Sequence, residues 1–204
     1  HIHQMRQLLT TIQLFDKQLQ MSQKQLQSFS ATCLISSELK KIINQQIRSL
    51  KIKIDKLNVT LKAMAEHHYS ATFKKLQTIP GIGTKTAVIL IVITHNFQKF
   101  EYSRQLIAYV GLSPRIYQSG TSIKGKGRIC KMGASLARKH LYLCSWTAKK
   151  ANKACYEMYE RLKEKGKPER VIKIAIANKL LKQSFAIARN NEIYNENYIS
   201  KPCF

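Results

Sequence analysis

The chain has 204 residues, enough for one ordinary domain with an appendage or for two small domains, and 44% of them are apolar, which suffices for a core and excludes wholesale disorder. Its 35 Lys and Arg against 11 Asp and Glu give a formal charge of +24, an excess that requires a polyanionic partner, nucleic acid or an acidic membrane surface. The longest apolar run, Ala87 to Ile93, falls far below the roughly 20 residues of a membrane span, so no membrane-crossing role is expected.

Cys33, Cys130, Cys144, Cys155 and Cys203 are scattered without a Cys-x-x-Cys pair, which indicates neither a disulfide framework nor a zinc site. His67-His68 and His1-x-His3 lack partners at ligand spacing, so no metal-ligating residue is expected. Reduced thiols in a cytoplasm are the expectation. The chain begins with His1 rather than Met, which leads to the expectation of a piece of a longer protein.

No Gly or Pro occurs before Pro80. From Ile43 the apolar residues Ile47, Leu50, Ile54, Leu57, Leu61 and Met64 follow in steps of four and three, a heptad seam. The same register extended backward meets Met5, Leu8, Ile12, Phe15, Leu19, Leu26 and Phe29, then fails at Ser36 and Lys40. The stretch Ser28 to Ser37 is poor in helix formers and rich in capping residues. The reading is two helices, about 5–29 and 37–66, folded as an antiparallel coiled-coil hairpin over residues 1–70; one continuous helix is the alternative. Such an arm either joins two copies of the chain or packs within one, and the sequence does not separate these.

A second domain is expected over 71–190, followed by a polar tail, 191–204. It opens at 76–94 with a helix-hairpin-helix pattern. A short helix ends near Thr78, a Pro80-Gly81-Ile82-Gly83 turn follows, and an apolar helix runs to about Thr94. Gly81 and Gly83 permit a tight turn with amides pointing outward at a helix N-terminus, and Lys85 adds a cation, together an anion site suited to nucleic-acid backbone. A plain helix–turn–helix corner is the rival reading. Phe97 to Phe100 reads as a loop, and Ser103 as the cap of a helix to Val110.

Gly111 to Gly133 holds five of the eight glycines together with Arg115, Lys124, Lys126, Arg128 and Lys131. Ser119, between Gln118 and Gly120, stands at the head of the basic run. Glycine admits close approach of backbone to a ligand, and cations attract phosphate. The tract is suited to holding a hydroxyl against a nucleic-acid backbone. Ile116, Tyr117, Ile123 and Ile129 are candidates for a short two-stranded ribbon. Helices follow at about 134–150, 152–164 and 169–189, with Pro168 suited to a helix start. Ser119 to Arg189 carries 18 Lys and Arg against Glu157, Glu160, Glu164 and Glu169. That imbalance over such a length favours nucleic acid over a merely solvated surface. The fold expected is mainly α: a helical coiled-coil arm, then a compact helical domain.

The ordered set Pro80-Gly81-Ile82-Gly83, Tyr109-Val110-Gly111-Leu112-x-Pro114, Gln118-Ser119-Gly120, Gly127-Arg128-Ile129-x-Lys131-x-Gly133 and Leu136-x-Arg138 resembles the C-terminal half of the transposases of bacterial insertion-sequence family 110. The resemblance covers roughly Leu76 to Ala188, and the preceding arm matches that family's coiled coil. It implies a DNA transposase of the bacterial cytoplasm with Ser119 as nucleophile on a DNA phosphodiester. It also implies DNA as partner, a structured guide RNA, and assembly of several copies through the coiled coil. In that family a RuvC-like domain with four acidic residues holds divalent metal, so Mg2+ is expected in a full-length enzyme. Here Asp16 and Asp55 are the two Asp residues and both lie in the arm, so the RuvC-like domain is expected to be missing and this chain to bind no cofactor and to be inactive alone.

Within that implied site Arg128, Lys131 and Arg138 are candidates to offset charge on the transferring phosphate. Gly120, Lys124 and Lys126 are candidates for looser backbone contacts. Arg138 has a structural ion pair as its alternative role, Ser119 a turn, and Ser122 is a rival nucleophile. The competing function is a non-catalytic module that binds DNA or structured RNA.

Overall fold

The computed structural model describes residues 1–31, 35–115, 118–119, 123–124 and 128–197, with 118–119 and 123–124 described by backbone alone. The chain divides into two compact units, His1–His68 and Tyr69 onward.

The first unit is a helical pair. Helix α1 spans Ile2–Ala31 and α2 spans Ser37–His68. The His1 ring stacks on His68 with centroids 3.7 Å apart, so the start of one helix lies beside the end of the other and the pair is antiparallel. Met5, Leu9 and Ile12 are buried from α1, and Ile43, Ile47, Leu50, Ile54 and Leu61 from α2. The seam departs from the sequence register at one place in each helix, both toward the end where His1 meets His68. Leu9 is buried where Leu8 was expected, and Ala65 is fully buried where Met64 is half-exposed. In α2 a helix of 3.6 residues per turn drifts against a strict 3.5 repeat, so the buried position slides from Met64 to Ala65 after several turns, whereas in α1 Met5 and Ile12 keep the register on either side of Leu9.

The second unit is built on α4 (Thr84–Thr94), whose residues Thr86 to Val92 are all buried. A helix apolar on every side belongs inside a core. It is preceded by α3 (Ser70–Gln77) and followed by α5 (Ser103–Val110), α6 (Ser135–Ala151), α7 (Lys153–Glu164) and α8 (Glu169–Asn190). Helix α6 touches α4, α5, α7 and α8, and α8 also touches α3 and α5. Leu141 and Ala148 of α6 and Ile172, Ile176, Leu180 and Leu181 of α8 close the core.

One local expectation changes, and the expected start of α8 beside Pro168 is met. Ser103 is the first helical residue of α5 rather than its cap. Tyr102 occupies the cap position, and the Gln105 side chain accepts hydrogen bonds from the Glu101 and Tyr102 amides at 2.9 and 3.4 Å. Pro168 stands at the cap of α8, one residue before the helix. Between α5 and α6 lies an antiparallel ribbon in two segments. Strand β1 (Pro114–Arg115) pairs with β4 (Arg128–Ile129), and β2 (Gln118–Ser119) with β3 (Ile123–Lys124). Ile123 and Ile129 fall on strands as expected, while Ile116 and Tyr117 lie outside the described residues. Among the described residues no helix is long and apolar enough to cross a membrane.

Candidate nucleic-acid interface and serine ribbon

The turn between α3 and α4 uses its two glycines differently. Gly81 has φ +102°, and a Cβ there would stand 2.7 Å from the Ala148 Cβ of α6. Its role is therefore close packing of the turn on α6. The neighbouring Pro80 carbonyl accepts from Asn152 Nδ2 at 3.5 Å. Asn152 is fully buried; it also donates to Gln183 Oε1 at 3.2 Å, and its Oδ1 accepts from the Tyr194 hydroxyl at 3.0 Å and the Cys155 amide at 3.2 Å. The corner is thus fastened to the start of α7, to α8 and to the segment after it. Gly83, by contrast, caps α4 with φ −85°, is exposed, and has open space where a Cβ would go. Lys85 is exposed beside it. The first-turn amides of α4 have no partner within the helix, so this end of the turn meets solvent with donors and a cation.

The foot of the ribbon is locked by close backbone contacts. Gly111 caps α5 with φ +75°, and a Cβ there would lie 2.2 Å from the Met132 carbonyl oxygen. At Gly133, φ +85°, a Cβ would lie 2.0 Å from the Tyr109 carbonyl oxygen. The Lys131 amide donates to the Gly111 carbonyl at 3.1 Å and the Ala134 amide to Tyr109 at 3.0 Å. Lys131 itself adopts φ +60°, a left-handed conformation uncommon for a side-chain-bearing residue. Arg138 completes the lock. Its Nη1 donates to the Val110 carbonyl at 2.6 Å and to Met132 at 3.4 Å, and its Nη2 donates to Lys131 at 2.8 Å. The guanidinium spans three carbonyls of the two chain segments at the ribbon's foot, in place of the carboxylate partner considered from sequence.

Above the foot, Pro114 faces Ile129 and Arg115 faces Arg128; in the outer segment Gln118 faces Lys124 and Ser119 faces Ile123. Directly opposed residues of an antiparallel pair share a face of the ribbon, where like charges repel. Arg115 and Arg128 are both exposed, and among the described residues neither is paired with a carboxylate. Gly120 and Lys126, and the rival Ser122, lie outside the described residues, and for Ser119 and Lys124 the backbone alone is described.

Sequence reasoning passed over Lys139, Arg170 and Trp146. They become visible when α6 and α8 are set side by side, and the spacing of Ser135, Lys139, Tyr142 and Trp146 along one helical face was the available signal. Glu169 is the one acid that organises this side. It accepts from Lys149 at 2.9 Å, Lys173 at 3.1 Å and the Tyr159 hydroxyl at 2.9 Å, which together hold its carboxyl at about 2, well below the usual carboxylate range. The same contact raises the Lys149 ammonium. Burial pushes the Cys155 thiol up to about 11, which keeps it protonated and inert. Among the described residues no three His, Cys, Asp or Glu side chains come together as a metal site.

Residues 73–160 match the family described as transposase IS116/IS110/IS902. A pilin gene-inverting protein of Moraxella lacunata is 34% identical over 132 residues, 64% of this chain and 40% of that protein. A second pilin gene-inverting protein, from Moraxella bovis, is 34% identical over 122 residues, 59% of this chain and 38% of that one. The insertion element IS110 uncharacterized 43.6 kDa protein of Streptomyces coelicolor (strain ATCC BAA-471 / A3(2) / M145) is 26% identical over 152 residues, 74% of this chain and 35% of that protein. The chain thus spans about two fifths or less of these relatives' length. The turn before α4, both feet of the ribbon and the whole of α6 fall inside the region that is similar to the IS116/IS110/IS902 transposase family.

Proposed function

We propose that this chain is the strand-exchange part of a DNA transposase or recombinase, in which the Ser119 hydroxyl attacks a DNA phosphodiester. The observation that carries the reading is the Arg115–Arg128 pair, two cations without a carboxylate partner among the described residues, on one face of the ribbon whose outer segment bears Ser119. Opposed like charges are costly unless an anion lies against them, and a DNA phosphate is such an anion. Relatives named for pilin gene inversion and the match to a family described as transposases support the same step, because inversion and transposition both require DNA to be cut and rejoined.

In this mechanism Ser119 Oγ forms a bond to phosphorus as the bond from phosphorus to one deoxyribose oxygen breaks. The serine proton passes to a base or to solvent, and the departing sugar oxygen takes up one. Arg128, Lys131, Lys124 and Lys126 offset the charge that gathers on the pentavalent phosphorus. A deoxyribose hydroxyl of another strand then attacks the phosphoserine and restores a phosphodiester, so the number of phosphoester bonds is conserved and no external energy is needed. The described residues do not fit a metal site, and the chemistry proposed for this chain runs through its own serine and cations. Arg138 serves by fixing the ribbon's foot. Structured RNA as a guide, and pairing of copies through the helical arm, belong to the same proposal.

A binding role without chemistry has its own support, the exposed Gly83 and Lys85 at the start of α4. That end of a helix-hairpin-helix turn would hold DNA backbone through amides. Strand transfer by the complete transposase separates the two readings. Ser119→Ala is expected to abolish both recombination and the covalent protein–DNA adduct seen on a denaturing gel, while DNA binding persists. Undiminished recombination would leave the binding role alone standing.

A further inference from the structure

A cleft of about 490 Å3 runs between α6 and α8 from the ribbon's foot, a volume in the range that takes small organic ligands. Its floor includes Leu143 and Ile174, and its rim carries Lys131, Lys139 and Arg170. All three cations are exposed, and among the described residues none is paired with a carboxylate. Leu143 is 53% exposed although it is a large apolar side chain. One turn further along the same face of α6 stands Trp146, the chain's single tryptophan, 51% exposed. Lys173 of α8 lies under one face of the indole, its Nζ 3.2 Å from the ring centroid, and is itself 4% exposed and paired with Glu169. The ring therefore rests on a buried lysine whose partner Glu169 is exposed, Lys149 Nζ lies 5.8 Å from its centroid, and about half of the residue is left to solvent.

We infer that this cleft binds a single-stranded nucleic-acid segment, with bases lying on Leu143 and Trp146 and phosphates on Lys131, Lys139 and Arg170. The inference rests on the reading that this domain handles nucleic acid, and it names the form of the substrate at the ribbon's foot. Charge selects a polyanion, since every charged side chain that lines the cleft is a cation. The apolar floor and the indole select unpaired bases, whose faces are free to stack. In a duplex those faces are covered by neighbouring bases, so a double helix would meet the rim but not the floor. The cleft begins where Ile129 and Lys131 leave the ribbon, so a strand lying in it continues toward the segment that carries Ser119.

The test uses the whole 204-residue chain, a labelled single strand of roughly 15 nucleotides, and the duplex of the same sequence. Trp146 reports directly, because no other tryptophan contributes. Saturation with the single strand is expected to quench its emission, and saturation with duplex to leave it near the free value. By anisotropy, Trp146→Ala weakens single-strand binding about tenfold and duplex binding by less than about twofold, while Trp146→Phe, which keeps an aromatic face, recovers most of the loss. Lys139→Ala and Arg170→Ala each flatten the salt dependence of single-strand binding by roughly 0.7 in log–log slope. Unchanged Trp146 emission at saturating single strand would overturn the inference without recourse to any variant. Equal losses on single strand and duplex would overturn it too, as would equal quenching by polyglutamate, which would make the cleft a seat for an acidic protein segment. The two readings fail separately: Ser119→Ala without effect on recombination leaves the cleft measurements untouched, and an unquenched Trp146 leaves the serine assay untouched.

Discussion

Gly81→Ala and Gly83→Ala change two residues of the same short turn by the same methyl group, yet the structure assigns them opposite consequences. At Gly81 the backbone has φ +102°, and holding an L side chain there costs about 1–3 kcal/mol. The added Cβ would also lie 2.7 Å from the Ala148 Cβ and 2.9 Å from its Cα. The second of these is helix backbone, which cannot turn aside, and overpacking of this kind adds about 1–3 kcal/mol. Together the loss is about 2–6 kcal/mol. At Gly83, φ is −85° and nothing lies within 4 Å of the added atom, so the change in stability is below about 1 kcal/mol, the usual span of a weak helix cap. Urea denaturation followed by Trp146 fluorescence reads this directly, because Trp146 lies two residues from Ala148 on α6 and reports on its own unit. Each kcal/mol corresponds to a fall of about 2–4 °C in Tm. If the hairpin binds DNA, Gly83→Ala acts on affinity instead, since its methyl stands before the first-turn amides. A Gly81→Ala protein within about 1 kcal/mol of the parent, or a Gly83→Ala protein equally destabilised, would refute the division of labour between the two.

Arg138→Ala removes hydrogen bonds to three carbonyls and is expected to cost about 2–3 kcal/mol; Arg138→Lys restores less than half, because one ammonium cannot reproduce the planar fork. Unchanged stability in denaturation together with lost DNA affinity would mean that the guanidinium serves phosphate instead. The Glu169 carboxyl is held at about 2 against an ordinary value of 4.5, so its contribution to stability is fully present above about pH 4.5 and is lost as pH falls toward 2. The stability gap between the parent chain and Glu169→Gln should therefore be constant above that range and close within it. A gap that does not vary across the window, measured by denaturation at stepped pH, would contradict the three-donor arrangement around this carboxylate.

The helical arm was legible because heptad spacing states which face is buried without reference to any other part of the chain. What spacing could not supply was which of two adjacent residues faces the partner, Ala65 rather than Met64 and Leu9 rather than Leu8, since that depends on the partner helix. The ordered glycines and cations of the second unit pointed to the family that residues 73–160 resemble, to the turn before α4 and to the serine tract. Their jobs were not legible. Gly81 lies against Ala148, 67 residues further along, and Gly133 against the Tyr109 carbonyl, and no local pattern announces such an approach. Arg138 read as a cation for phosphate or for an acid because sequence gives its charge and not the carbonyls around it. Lys139 and Arg170 counted only within the basic excess of 119–189, and Trp146 carried no reading, because nothing along the chain places them together.

By itself the sequence determined the elements, the excess of positive charge and the chemistry available to a serine among cations, because helix period, charge and functional groups are local properties. The tertiary structure decided which glycines pack and which stay open, turned Arg138 into a brace, and set α6 against α8 so that three cations border one cleft and an indole resting on Lys173 stands one turn beyond it. Those are distances between residues far apart in the chain, and distance across a fold is fixed by packing, which spacing along the chain does not encode.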